Sequence, residues 1–132
     1  MSGPETNFTN RIRAALKGTN VYSMKLQAGY IAGVPDMWFS GSKSDLWVEM
    51  KWDARSAASK KPFEPGLSVL QKQWLNDRLA QGRNVAVITG TPHGALIQVH
   101  GTWNSPVATT AFTAALLPVK QVAEWIIKQV SR

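Results

Sequence analysis

The chain has 132 residues, 44% of them hydrophobic, with a formal charge of +7 and no cysteine. That length supports one domain with a real core and leaves little room for a second. The missing thiols exclude disulfides and thiolate zinc sites, and the positive balance favours a polyanionic partner, most simply nucleic acid, over a basic protein with no such partner.

The opening "MSGPETN" is polar, with no basic region leading into an apolar core, so it does not read as a secretory signal. No apolar run approaches transmembrane length. The expectation is a soluble, intracellular and cytoplasmic protein, in the host cytoplasm were the chain viral. In "ETNFTNRIRAALKG", Phe8, Ile12 and Leu16 recur every four residues with Ala15 beside them, which predicts one helix face. Pro4 suits its first turn, and Gly18 suits a C-terminal stop. "VYSMKLQAGY", "PDMWFS" and "LWVEMKW" read as three strands, the last two joined by the turn-rich "GSKS". "DARSAASKKPFEPG" is a polar connection with three basic residues and two prolines, expected to be mobile. "LSVLQKQWLNDRLAQG" is the clearest helix, with Ser68 as N-cap, Gly82 past its end, and Leu67, Leu70, Trp74 and Leu75 as the buried stripe. "NVAVITG" reads as a central strand covered on both faces, and "ALIQVH" as another strand reached through the turn "TPHG". "VKQVAEWIIKQVSR" is an amphipathic helix with Val122, Trp125, Ile126 and Val130 on one side, whereas residues 101–118 give no clear pattern. The order is helix, three strands, helix, two strands, helix. There is no internal repeat.

The segment from Gly33 to Trp52 places charged residues inside its most apolar hairpin. With "GSKS" as a four-residue loop, Ser40 faces Asp45, Phe39 faces Leu46, Trp38 faces Trp47, Met37 faces Val48 and Asp36 faces Glu49. Because strand side chains alternate, one face carries Met37, Phe39, Leu46, Val48, Met50 and Trp52. The other carries Asp36, Trp38, Trp47, Glu49 and Lys51. Directly opposed carboxylates have Cβ atoms about 4.5–5.5 Å apart and repel unless a proton or cation lies between them. A hard divalent ion such as magnesium, held by oxygen ligands, suits that gap. The structural alternative is a solvated face on an edge strand, with Asp36 as a turn residue.

"PD", twelve residues, then "EMK" resembles the signature of the PD-(D/E)XK nuclease superfamily, with Asp36, Glu49 and Lys51 at its three positions. With the helix "LSVLQKQWL" and the strand "NVAVI", residues from about Glu5 to Thr89 are similar to the VRR-NUC branch, which is related to archaeal-type Holliday junction resolvases and occurs in phages and cells. The resemblance implies a restriction-endonuclease-like, three-layer α/β core with a central mixed β-sheet in the order α-β-β-β-α-β, plus a C-terminal helix. It implies a single nuclease domain over residues 1–132, with a core of about 4–100 and a C-terminal extension over 101–132. Asp36, Glu49 and the backbone carbonyl of Met50 would ligate Mg2+ or Mn2+, and Lys51 would orient the attacking water. Gln71 matches the glutamine of the second core helix. Glu5 matches the acidic residue of the first, as a further site residue and metal ligand. Both have a local alternative: Ser68 to Gln71 and Ser2 to Glu5 each fit a capping box. Gln71 also lies within the apolar stripe between Leu67 and Leu75, where an amide needs partners.

The implied activity is metal-dependent hydrolysis of phosphodiester bonds in DNA, selective for branched or junction structures rather than for sequence. The alternative is a non-catalytic nucleic-acid-binding module on the same fold. Phosphate contacts are expected from Arg11, Arg13 and Lys17 on the first helix and from Arg55, Lys60 and Lys61 in the connection after the catalytic strand. Trp38 and Trp47 either pack under the first helix or stack on an unpaired base. His93 and His100 lack a metal-ligand companion and read as structural or surface residues. Resolving a junction needs two symmetric active sites, hence a homodimer.

Overall fold

A computed structural model describes residues 3–26, 32–56 and 58–131. Helix α1 (Pro4–Ala15) is followed by strands β1 (Tyr22–Lys25), β2 (Met37–Ser40) and β3 (Asp45–Trp52), then helix α2 (Val69–Ala80). Strands β4 (Val85–Thr91) and β5 (Gly94–Gln98), a 3-10 turn (Thr102–Asn104), helix α3 (Thr109–Ala115) and helix α4 (Val119–Val130) complete the chain. The five strands form one sheet in sequential order, antiparallel except for the parallel pair β3 and β4. The crossover from β3 to β4 runs through α2, since parallel neighbours need a long connection. This is the mixed, helix-covered sheet that the resemblance implied.

The hairpin register is the one that binary patterning demands. Met37 pairs with Val48, Trp38 with Trp47, Phe39 with Leu46 and Ser40 with Asp45. A slip of one residue would turn the buried set of Met37, Phe39, Leu46, Val48 and Met50 out to the other face. On their side, α1 and α4 close the main core through Phe8, Ile12 and Leu16 and through Val122, Ala123, Ile126 and Val130. Residues expected to form a C-terminal extension therefore supply a wall of the main core. Gly90 permits this packing, because a Cβ there would lie 2.6 Å from the Phe8 ring. The opposite face is covered by α2 and the 3-10 turn, with Leu75, Val85, Val87 and Trp103 buried and Trp47, Leu67, Trp74 and Leu79 packed around them. The indole N–H of Trp103 donates to Asn76 Oδ1 at 3.0 Å and pins the turn to α2. Helix α3 lies beside this layer, where Phe112 meets Phe63 and Leu96.

Several expectations are corrected. Leu70, placed in the buried stripe of α2, is 50% exposed, and Val69 is 82% exposed. The helix meets the sheet through Leu75 farther along, and the Leu70 backbone instead covers Gly33, where a Cβ would come within 2.5 Å of the Leu70 carbonyl oxygen. On α1, Ala15 is exposed and Thr9 is buried in its stead. Strand β1 ends at Lys25, and the expected continuation over 27–30 lies outside the described residues. The connection after β3, expected to be mobile, has one anchor among its described residues. Phe63 is fully buried and bridges to Val107, with backbone hydrogen bonds of 2.8 Å in both directions. The segment 101–118, which showed no pattern, holds a 3-10 turn and a helix whose apolar anchors are single residues, Trp103 and Phe112. His100 stands beyond the end of β5 in a left-handed turn conformation, φ 57°.

Candidate active site

Strand β3 carries Glu49 and Lys51 on the face covered by α2, because they alternate with Val48 and Met50, which point into the main core. Asp36 directly precedes β2, and its carbonyl accepts the Leu26 N–H at 2.6 Å, which fixes the entry to that strand. Extending the ladder one step from Met37 and Val48 brings Asp36 opposite Glu49. Gln71 enters from α2. Ser68 caps that helix, its Oγ accepting the Gln71 N–H at 3.1 Å while Gln71 Oε1 accepts the Ser68 N–H at 2.9 Å. The same Oε1 accepts from Lys51 Nζ at 3.2 Å, and Gln71 Nε2 donates to Glu49 Oε2 at 3.2 Å. Lys51 Nζ lies 3.5 Å from that Glu49 oxygen. The two readings of Gln71 are therefore one arrangement: the capping box holds the amide at the angle at which it ties Glu49 to Lys51.

Glu49 is 3% exposed, and its Oε1 is buried without a hydrogen-bond partner. Burial, reinforced by the closeness and charge of Asp36, pushes its pKa up to about 8 against the pull of Lys51. As carboxylates the two acids have no donor between them, so a proton or a cation is what joins them. The donor set of two carboxylates in a dry setting, with one lone-pair-bearing oxygen left free, fits a hard divalent ion. Among the described residues no group of three or more acidic or histidine side chains converges to hold a metal. Glu5, expected as a further ligand, is therefore not drawn into such a group. It lines one cavity with Lys51, Asp53, Glu64 and Thr89. Desolvation first and the charge of Asp36 second raise its pKa, while Lys51 and Lys25 oppose the shift. Ser2, its alternative capping partner, lies outside the described residues, and the N-cap is Gly3, without a side-chain bond.

The expected basic contacts divide. Arg11, Lys17, Lys60 and Lys61 are exposed. Arg13 is tied to β1, its Nε donating to Ser23 Oγ at 3.1 Å. Arg55 is turned inward: its guanidinium donates to the Lys61 carbonyl at 2.8 Å, lies 3.5 Å from Asp53 and stacks 4.9 Å from the Phe112 centroid. It organises the connection that presents Lys60 and Lys61. Trp38 and Trp47 do not pack under α1, because α1 covers the opposite face. They form an aromatic row running from Tyr22 through Trp38 and Trp47 to Trp74 of α2. On β4, Thr89 is buried and its Oγ1 makes no hydrogen bond, whereas Thr91 Oγ1 donates to the Gly94 carbonyl at 2.8 Å. His93 is an exposed turn residue.

The mixed five-stranded sheet and its covering helices match a restriction-endonuclease-like α/β core. Among solved structures, the Holliday junction resolvase Hjc of the archaeal hyperthermophile Archaeoglobus fulgidus shares it, with a TM-score of 0.57 and 14% sequence identity over 92% of this chain and 97% of that one. No family model matches the chain, and no curated protein is similar to it in sequence. No helix among the described residues is long and apolar enough to cross a membrane.

Proposed function

We propose that the chain is a divalent-metal-dependent endonuclease of the PD-(D/E)XK kind, in the resolvase-like VRR-NUC branch, that hydrolyses phosphodiester bonds in branched DNA. The observation that carries this reading is the free, buried Glu49 oxygen beside Asp36, on a side chain linked to Lys51 through Gln71. Its setting on the fold of a junction resolvase adds support. Asp36, Glu49 and the Met50 carbonyl would hold Mg2+ or Mn2+, which when bound polarises a phosphate oxygen and makes a bound water more acidic. Lys51 places positive charge where negative charge develops on phosphorus, and it orients the attacking water. Gln71 keeps the Lys51 amine and the Glu49 carboxylate at a fixed separation. Glu5 adds negative charge across the cavity, which favours a cation there. Exposed Lys60, Lys61, Arg11 and Lys17 contact backbone phosphates, while Arg13 and Arg55 brace the elements that carry them. Nothing in this set reads bases, so shape and backbone are what the protein recognises. Two incisions in one junction call for a homodimer.

The test is cleavage of a panel of labelled junction, flap, duplex and single-stranded DNAs in Mg2+ or Mn2+. The wild type is expected to cut branched substrates first. Asp36→Ala and Lys51→Ala are each expected to lower the rate by about 10²–10⁴-fold or more with the fold intact. Undiminished cleavage by either variant would overturn the assignment. Junction binding without cleavage in either metal would instead favour a non-catalytic binding module.

A further inference from the structure

Strand β1 is an edge of the sheet. Tyr22 stands opposite Ser40 and Met24 opposite Trp38, so both share the face that carries Trp38, Trp47 and Glu49. There Tyr22 is 58% exposed and Met24 38% exposed. The Tyr22 ring is nonetheless held in place. It meets Trp38 edge to face, with centroids 5.7 Å apart and planes at 69°, and Trp38 leans on Trp47 and Trp47 on Trp74. An edge-to-face contact takes up one face of a ring at most, so Tyr22 keeps a face that Trp38 does not use. The strand also leads from the site to that ring. The Leu26 N–H is bonded to the Asp36 carbonyl, and Lys25, next along β1, is exposed. Tyr22 lies opposite a residue four places along the chain from Asp36, about 13 Å away in the strand direction. Side chains on one face of a strand repeat every 7 Å or so, about 6.6 Å at the usual rise, close to the stride of an extended single DNA strand.

We propose that the β1 edge guides an unpaired DNA strand at the site, with a nucleobase stacked on the Tyr22 ring and a backbone phosphate met by Lys25. This rests on the reading of Asp36, Glu49 and Lys51 as a site that takes DNA, and adds to it a contact that selects an unpaired strand. The ring offers a π-face and no charge, so it holds a base and not a phosphate. Within a duplex the faces of the bases are covered by their neighbours, so only an unpaired or splayed base reaches Tyr22. Every base has such a face, which leaves the contact indifferent to sequence. The ring is fixed by the aromatic row behind it, so little order is lost when a base arrives. The competing occupant of an exposed edge is a second copy of the chain. Lys25 disfavours it, because a lysine on an edge strand discourages pairing with another strand, whereas it suits a phosphate.

The experiment uses the full chain in Ca2+ with flap DNAs of either polarity, carrying 5-iodouracil at each of the first few unpaired nucleotides in turn. Long-wavelength irradiation crosslinks that base to an aromatic ring stacked on it, and mass spectrometry locates the bond. In the wild type, one position is expected to crosslink to Tyr22. Tyr22→Leu keeps apolar bulk without the π-face. It is expected to bind the flap about 5- to 100-fold more weakly. Its affinity for paired duplex, sedimentation coefficient and melting temperature should match those of the wild type, and Tyr22→Phe should retain flap affinity. No crosslink to Tyr22 at any position, or unchanged flap affinity in Tyr22→Leu, would overturn the proposal, and flap cleavage by the wild type in Mg2+ would leave the nuclease reading standing. An equal loss on flap and duplex would assign the ring to the DNA backbone, and a lower sedimentation coefficient for Tyr22→Leu would assign it to a second copy; each overturns the proposal. A wild type that crosslinks through Tyr22 yet cuts no DNA in Mg2+ or Mn2+ would uphold the stacking contact and remove the nuclease reading. A wild type that binds no DNA would remove both.

Discussion

Glu49 gives the site a measurable acid-base signature. Its pKa is raised from 4.5 to about 8 by burial and then by Asp36. An acid raised in this way binds more protons folded than unfolded across that interval. Its contribution to stability is therefore present in full below the unfolded value and is lost as pH climbs through the folded one. The melting temperature of the metal-free protein is expected to fall between about pH 5 and about pH 8, and Glu49→Gln is expected to flatten that fall. Thermal melts of both proteins across this range check it, and equal slopes would contradict it. At this scale the sequence was informative where alternation applies. Asp36, Glu49 and Lys51 were legible because a carboxylate inside a strand violates the pattern of its neighbours. Arg55 read as a surface cation, because stacking on Phe63 and Phe112 brings together residues 57 positions apart along the chain.

Helix α2 joins fold and site through one residue. Gln71 closes the capping box with Ser68 and also contacts Lys51 and Glu49. Gln71→Ala removes the three side-chain bonds, to the Ser68 N–H, Lys51 and Glu49, but keeps its backbone N–H on Ser68 Oγ, and is expected to cost about 1–2 kcal/mol in denaturant unfolding. Gln71→Glu keeps the capping box, since glutamate serves at that position, but sets a third carboxylate against Glu49. It is expected to preserve most of the helix cap while raising the Glu49 pKa further. A variant as unstable as Gln71→Ala would show that the cap does not survive the substitution. The span of α2 was readable from Ser68, Gly82 and the apolar spacing, yet its buried stripe was not. Leu70 fits the helical period but lies half exposed in the first turn of α2, with its backbone over Gly33, and periodicity carries no information on where a helix meets its neighbour.

Across the molecule, the site lies between the entry to β2, strand β3 and helix α2, beside the connection over 53–66, so its integrity depends on packing some distance away. Phe63→Ala empties a fully buried position beside Phe112 and Leu96 and frees Arg55 from one of its rings. A loss of about 3–5 kcal/mol in unfolding free energy is expected, together with weaker DNA binding as Lys60 and Lys61 lose their platform. The order of helices and strands was legible in the pattern and the mixed sheet came from the resemblance, whereas the sequential strand order and the parallel pairing of β3 with β4 are read only from the structure. The C-terminal third was not legible, because α3 is a short helix held by Phe112, and the place of α4 against α1 in the main core is a tertiary fact with no local sequence mark. The proposed hydrolysis depends on Asp36 and Glu49 sharing a divalent cation. Calorimetric titration of Mn2+ into the wild type and Glu49→Gln, run near neutral pH in two buffers of different ionisation enthalpy, addresses this directly. The account predicts saturable binding with proton release in the wild type and none in the variant. Binding of equal strength and equal proton count in both proteins, or none in the wild type, would contradict it.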